Sequence, residues 1–363
     1  MAKQRKIKHY RYGYSSKKYR RARIWKTLLF LLLLAALVFV GYCVTKAVGN
    51  LANRPEEPSS SQTESLPPES SAPSEPESSS EPEPPARTAL HAVAIPKESM
   101  ASLDAVSAFL DTVDKERYNC VAADLKDSSG TLWYTSAVEL AQTCKAVSPD
   151  ALDAAALAEL IREKGFIPAA RIYALQDDIA SHSSYDTSYL YLDQAGVTWL
   201  DRAADKGGKS WLNPYMPAAV DYLADLSEEI AGAGFERIFV CGLQYPDTKY
   251  LDEMGFGPNK DAMTAVEALQ NVLDRMTSAA ARRSGTVIPV FQGQGYLEPA
   301  NRLYADSANV FQTEYTSPLL VQGQEAEILD AVTAGKDTLV PSIQSEEQFP
   351  LLKEKGIDQY LIG

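Results

Sequence analysis

Cysteine and histidine are scarce in this 363-residue sequence, with four and three residues, and no Cys-x-x-Cys or His-x-x-x-His spacing occurs. A disulfide framework needs more sulfur than this, and a zinc site needs more closely spaced ligands. Cys43 falls in a long apolar run, Cys120 and Cys241 in strand-like runs and Cys144 in a helical one. Buried free thiols are the expectation, with a Cys120 to Cys144 bridge as the alternative. Phosphate-cradling loops, a Gly-x-Gly-x-x-Gly turn after the first apolar segment and a Gly-x-Ser-x-Gly elbow are also missing, so no cofactor is expected.

Acidic residues are absent from the first 26 positions, which hold eleven of the 35 Lys and Arg; the remainder then carries 24 basic against 48 acidic residues. An acidic body repels phosphates, which excludes nucleic acid as a partner of the folded part. After the basic tail 1–26 comes the uncharged run from Thr27 to Val44, flanked by Arg20, Arg21, Arg23 and Lys26. At about 1.5 Å per residue it just spans a hydrocarbon core of about 30 Å, and it reads as a transmembrane helix over 27–46. The rival, a cleaved signal peptide, has a shorter apolar core and a small-x-small site, which is not evident here. Positive-inside orientation leaves the N-terminus cytoplasmic and the rest extracellular. Residues 47–88 are rich in Ser, Pro and Glu and nearly devoid of apolar side chains; nothing in them offsets the entropy of ordering, and they read as a disordered spacer.

Residues 89–363 alternate strand-length apolar runs with helix-length amphipathic stretches. Candidate strands lie at 91–96, 119–124, 166–173, 237–243, 286–292, 308–313, 338–344 and 357–362. Helices are expected at Leu103 to Val113, Leu152 to Lys164, Pro217 to Ala233 and Lys260 to Arg282. Eight such repeats predict an α/β fold, a (β/α)8 TIM barrel, ahead of a doubly wound open sheet. The longest interruption, 174–216, follows the third strand and carries Tyr185, Tyr189, Tyr191, Trp199, Trp211 and Tyr215. That position overhangs the C-terminal mouth, where aromatic rings and amides suit sugar rings.

Several segments carry a resemblance. In YNCVAADLKDSSGTLWYTS (118–136), Asp124, Lys126 and Asp127 follow an Asn and an apolar run; in AARIYALQDDIA (169–180), Arg171 and Asp177 flank Gln176; SWLNPY (210–215) holds Trp211, Asn213 and Tyr215; GFERIFVCGLQYP (234–246) holds Cys241, Gly242 and Gln244; LVPSIQ (339–344) ends at Gln344. Together they resemble a bacterial family of glycosyl-hydrolase-type domains related to α-amylase-like barrels. The resemblance implies a barrel with a carbohydrate-directed mouth lined by these residues. It also marks departures: Gln176 stands where the family has Lys, Asn213 where it has Asp, Cys241 where it has the strand-four Asp expected as nucleophile, Gly242 on its Tyr and Gln244 on its Arg.

Glycoside hydrolysis ordinarily needs two carboxyl groups flanking the bond, and neither a thiol nor an amide replaces them. The expectation is therefore a membrane-anchored barrel that binds a polysaccharide or cell-wall glycan with the family's catalytic acid lost. One alternative is an active hydrolase using Asp124 and Glu314 as a rearranged pair; another is a scaffold that binds a protein. Asp124 is equally well read as a carboxylate paired with Lys126 or Arg171, and Glu314 as a solvated rim charge. Asp178 and Asp247 are further acids expected at the mouth.

Overall fold

The computed structural model describes residues 89–299 and 301–363. Eight strands form its central sheet: β1 (His91–Ala94), β2 (Cys120–Lys126), β3 (Ile167–Tyr173), β4 (Arg237–Cys241), β5 (Thr286–Gln292), β6 (Ser317–Leu319), β7 (Ser342–Ile343) and β8 (Tyr360–Ile362). Each runs parallel to the next, and β1 pairs with both β8 and β2, so the sheet closes into a barrel. Helices alternate with the strands: α1 (Leu103–Leu110), α2 (Ala154–Glu163), α3 (Pro217–Gly232), α4 (Ala265–Ala281), α5 (Gln294–Leu297), α6 (Glu325–Ala331) and α7 (Phe349–Lys355). Two short strands, Leu132–Tyr134 and Val147–Leu152, extend the sheet beyond the end of β2.

Local chemistry sets these boundaries. The Ser102 and Asp153 side chains accept the Ala105 and Ala156 amides at the starts of α1 and α2. Thr264 and Glu267 form a reciprocal capping box on α4 and Pro217 opens α3, each satisfying or removing an amide the helix cannot pair; Gly356, in the left-handed region, ends α7 and donates its N–H to carbonyls of the last turn. Inside the barrel, Ala92, Cys120, Ala122 and Ala169 on β1 to β3 leave room for Phe239, Ile288, Val290 and Leu361. The alternate residues face outward, and Val121, Leu125, Ile172, Ile238, Val240 and Phe291 pack against the helical layer. Burying one such large side chain contributes about 1.5–3 kcal/mol.

The sixth strand lies elsewhere than expected. Residues 308–313 hold a turn of 3-10 helix, Ala308–Val310, while Ser317–Leu319 pairs with β5 and β7. A short apolar run does not distinguish strand from buried turn, and Pro318 makes the true strand look like a loop. Cys120, Cys144 and Cys241 are free thiols. No helix among the described residues is long and apolar enough to cross a membrane; the basic tail, the span expected over 27–46 and the spacer to residue 88 all lie outside the described residues.

Candidate active-site mouth

The C-terminal end of the barrel is floored by Asp124 and Arg171, which sit opposite each other in the β2–β3 register. Arg171 Nε approaches Asp124 Oδ1 at 2.5 Å and Nη2 donates to Oδ2 at 2.9 Å, a two-toothed pair. Its Nη1 donates to the Gly363 carbonyl at 2.6 Å, linking β2, β3 and the end of β8. Both side chains are part-buried, at 21% exposure for Arg171 and 37% for Asp124. Burial lowers the Arg171 pKa, but the hydrogen bond and charge of Asp124 outweigh it and leave the guanidinium above its usual value. The carboxylate is thus committed to a permanent cation.

Beside this pair, Tyr173 and Cys241 are register partners on β3 and β4. Burial pushes the Cys241 thiol up to about 12, against the pull of Arg171, so at neutral pH the sulfur is a protonated, weak nucleophile. Gly242 has φ +63°, and a Cβ there would lie 3.1 Å from the Tyr173 ring and 3.3 Å from Gln176 Cβ. Its bare backbone lets both side chains close over the end of β4. Gln176, Gln244 and Gln292 are half-buried around this floor. Asp124 is the one carboxylate among the described strand residues that face the barrel interior at this end.

Two residues expected at the mouth, Lys126 and Asp177, lie behind its wall, and a third, Asp127, is held in a turn. The β2–β3 register slips between Asp124 and Lys126, placing Lys126 beside the outward-facing Ile172. A bulge re-aims a side chain in this way. Lys126 donates to the Tyr173 carbonyl at 2.7 Å and makes an ion pair with Asp177 Oδ2 at 2.9 Å, both side chains fully buried. That approach falls outside good hydrogen-bond geometry, since Asp177 Oδ2 has no hydrogen-bond partner. Asp177 Oδ1 caps the short helix Asp178–Ser183 through the Ala180 amide at 2.8 Å. Asp127 holds the 127–131 turn, accepting from Ser129 and Thr131, and takes the Trp133 indole N–H at 3.1 Å. Burial raises its pKa, but these hydrogen bonds prevail and lower it. Gly130 is required here: φ is +95°, and a Cβ would stand 2.0 Å from Asp177 Oδ1.

The aromatic excursion is likewise mostly interior. Trp211, Asn213 and Tyr215 are buried and spend their polar groups internally. The Trp211 indole donates to Asp201, Asn213 donates to the Phe256 carbonyl, and the Tyr215 ring meets Phe256 edge-on at 5.5 Å. Trp199 and Tyr189 are also buried and pack edge-on. These residues brace the excursion and offer no ring face to a sugar; only Tyr185 of the set is well exposed. Asp178 is tied to Lys209 and Ser210, Asp247 lies 4.0 Å from Arg302, and Gln344 is exposed just after β7.

Glu314 is at the other end of the molecule. It precedes β6 and shares a 470 Å³ cavity with Thr286, the first residue of β5, and with Asp274 on α4. Its placement at the mouth followed from taking 308–313 as the strand. Asp124 and Glu314 therefore do not form a catalytic pair. Among the described residues no three His, Cys, Asp or Glu side chains converge as metal ligands.

The sequence also concealed a rim residue. Leu132 and Tyr134 are buried, which turns the intervening Trp133 to the opposite, part-exposed face. Lys97, in the turn following β1, holds its ammonium 5.2 Å from the centre of that indole. Strand alternation was the signal available for Trp133.

The sequence profile described as "Putative glycosyl hydrolase domain" matches residues 92–291, more than half of the chain. Among solved structures, the fold is similar to the glycoside hydrolase domain of PgaB (BpsB) from Bordetella bronchiseptica, with 11% identity, 76% of this chain and 93% of that chain covered, and a TM-score of 0.54. A hypothetical protein from Ruminiclostridium thermocellum matches at 16% identity over 54% of this chain and 96% of its own, with a TM-score of 0.45. A GH20 β-N-acetylhexosaminidase from Streptomyces coelicolor matches at 14% identity over 69% and 47%, with a TM-score of 0.42. No curated protein matches the sequence.

Proposed function

The chain belongs to the family of putative glycosyl hydrolase domains, and from that premise we propose that it is a membrane-anchored, outward-facing barrel that binds a cell-envelope or environmental polysaccharide without retaining hydrolysis. The observation that carries this reading is the state of the mouth. Its inward strand carboxylate, Asp124, is held by two Arg171 nitrogens at 2.5 and 2.9 Å, and the neighbouring thiol of Cys241 stays protonated. Hydrolysis by two carboxyl groups needs them about 5–10 Å apart, one able to give a proton. Asp124 has no second carboxylate among the inward-facing described strand residues at this end, whereas Arg, Tyr and Gln side chains around it can order hydroxyl groups. Anchoring rests on the apolar run 27–44 and its basic flank.

The test is reducing-end release from purified α-glucans, β-glucans and bacterial wall glycan by the full-length protein in detergent, beside Asp124→Asn. No release, with the protein sedimenting on at least one glycan, is expected. Release by the wild type that disappears in Asp124→Asn would replace this reading with an active hydrolase.

A further inference from the structure

Trp133 is built as a platform. Its indole N–H is fixed by Asp127 Oδ2 at 3.1 Å, and Asp127 is itself held by the Ser129 and Thr131 amides at 2.9 and 3.1 Å. The ring's polar edge is therefore satisfied inside the protein while the side chain stays part-exposed at the rim. A rigid indole presenting carbon surface suits the C–H face of a pyranose. Above it, Lys97 is exposed and its ammonium makes no ion pair among the described residues, in contrast to Lys126 and Lys209 nearby. Moving it from the ring to a ligand anion gives up only an exposed cation–π contact.

We propose that Trp133 and Lys97 form a subsite for an acidic sugar, with the indole stacking on the ring and the ammonium pairing with a uronic-acid-type carboxylate. This rests on the reading of the mouth as a glycan site. The body of the chain is strongly acidic and repels polyanions in general. A single unpaired cation beside a stacking face then makes the recognition of acidic sugars local, and it sets which residue of the polymer lies at the rim.

The experiment measures binding of the full-length protein in detergent to immobilised polygalacturonate, alginate and hyaluronan, each beside its carboxyl-reduced form, and to the neutral glucans above. At least one acidic polymer should be held about two- to fivefold more tightly than its reduced form, the range of a solvent-exposed charge pair. Lys97→Gln should erase that preference while leaving the reduced form bound. Trp133→Ala should weaken both, with Trp133→Phe recovering part of the loss. Circular dichroism and an unchanged thermal midpoint check that the variants fold. Equal binding of acidic and reduced forms, a preference that survives Lys97→Gln, or capture by neutral glucans alone would overturn the acidic-sugar subsite and leave the glycan reading standing. Binding to no glycan at all would remove both.

Discussion

At the scale of single residues, the mouth is governed by which groups are allowed to ionise. The Cys241 thiol is pushed from its ordinary value near 9 up to about 12 by burial, so the fold favours its protonated form. The unfolded chain releases that proton first as pH rises, and the stabilisation present below about pH 9 is lost between the unfolded and folded values. The thermal midpoint should fall more steeply above pH 9 in the wild type than in Cys241→Ala; equal slopes would show that the sulfur does not titrate in this way. The same burial predicts slow alkylation of Cys241 at neutral pH, measured by mass spectrometry of iodoacetamide-treated native protein. Gly130 provides a steric counterpart. Its positive φ and the 2.0 Å a Cβ would leave to Asp177 predict that Gly130→Ala destabilises the fold by at least about 2 kcal/mol in urea unfolding.

At the scale of elements, one extra residue in β2 decides which side chains face the mouth. Because the β2–β3 register slips between Asp124 and Lys126, Asp124 points to the barrel axis and Lys126 into the layer behind it, where it meets Asp177 with both side chains at 0% exposure. A buried pair is strongly destabilised by loss of one partner and much less by loss of both charges. Lys126→Met should cost about 3–5 kcal/mol, and Lys126→Met with Asp177→Asn, which keeps an N-cap side chain, should lose less than the sum of the single changes. A urea double-mutant cycle measures this coupling; additivity would mean that the ions do not sense each other. The slip also marks the limit of what the sequence discloses. Seven strands were legible from apolar runs with turn signals, and the Asp124 to Arg171 pairing was one of two partnerships its chemistry allowed. A bulge has no signature in LKDSSG, so Lys126 looked like a mouth residue. Pro318 disguised β6 and carried Glu314 to the wrong end, while Trp211 and Tyr215 looked like platforms because aromatic content does not tell which ring face is covered.

At the scale of the whole molecule, charge and hydropathy are distributed unevenly along the chain. Eleven cationic residues precede Thr27, and the rest of the sequence carries 24 basic against 48 acidic side chains. Each cation near an anionic inner leaflet contributes about 1 kcal/mol, and an acidic body favours neither that surface nor nucleic acid. Under the proposed anchoring, the Ser-, Pro- and Glu-rich stretch 47–88 separates the apolar run from the barrel in the sequence. Two measurements on expressing cells separate this arrangement from its rivals. The full chain should remain in the membrane pellet after alkaline carbonate washing, whereas a chain lacking residues 1–46 should not. Protease added outside intact wall-less cells should release a barrel-sized fragment by cutting in the Ser/Pro/Glu tract. A washed-out full chain would mean that 27–44 does not span, and a barrel protected until the cells are lysed would reverse the orientation and remove the extracellular glycan as its partner.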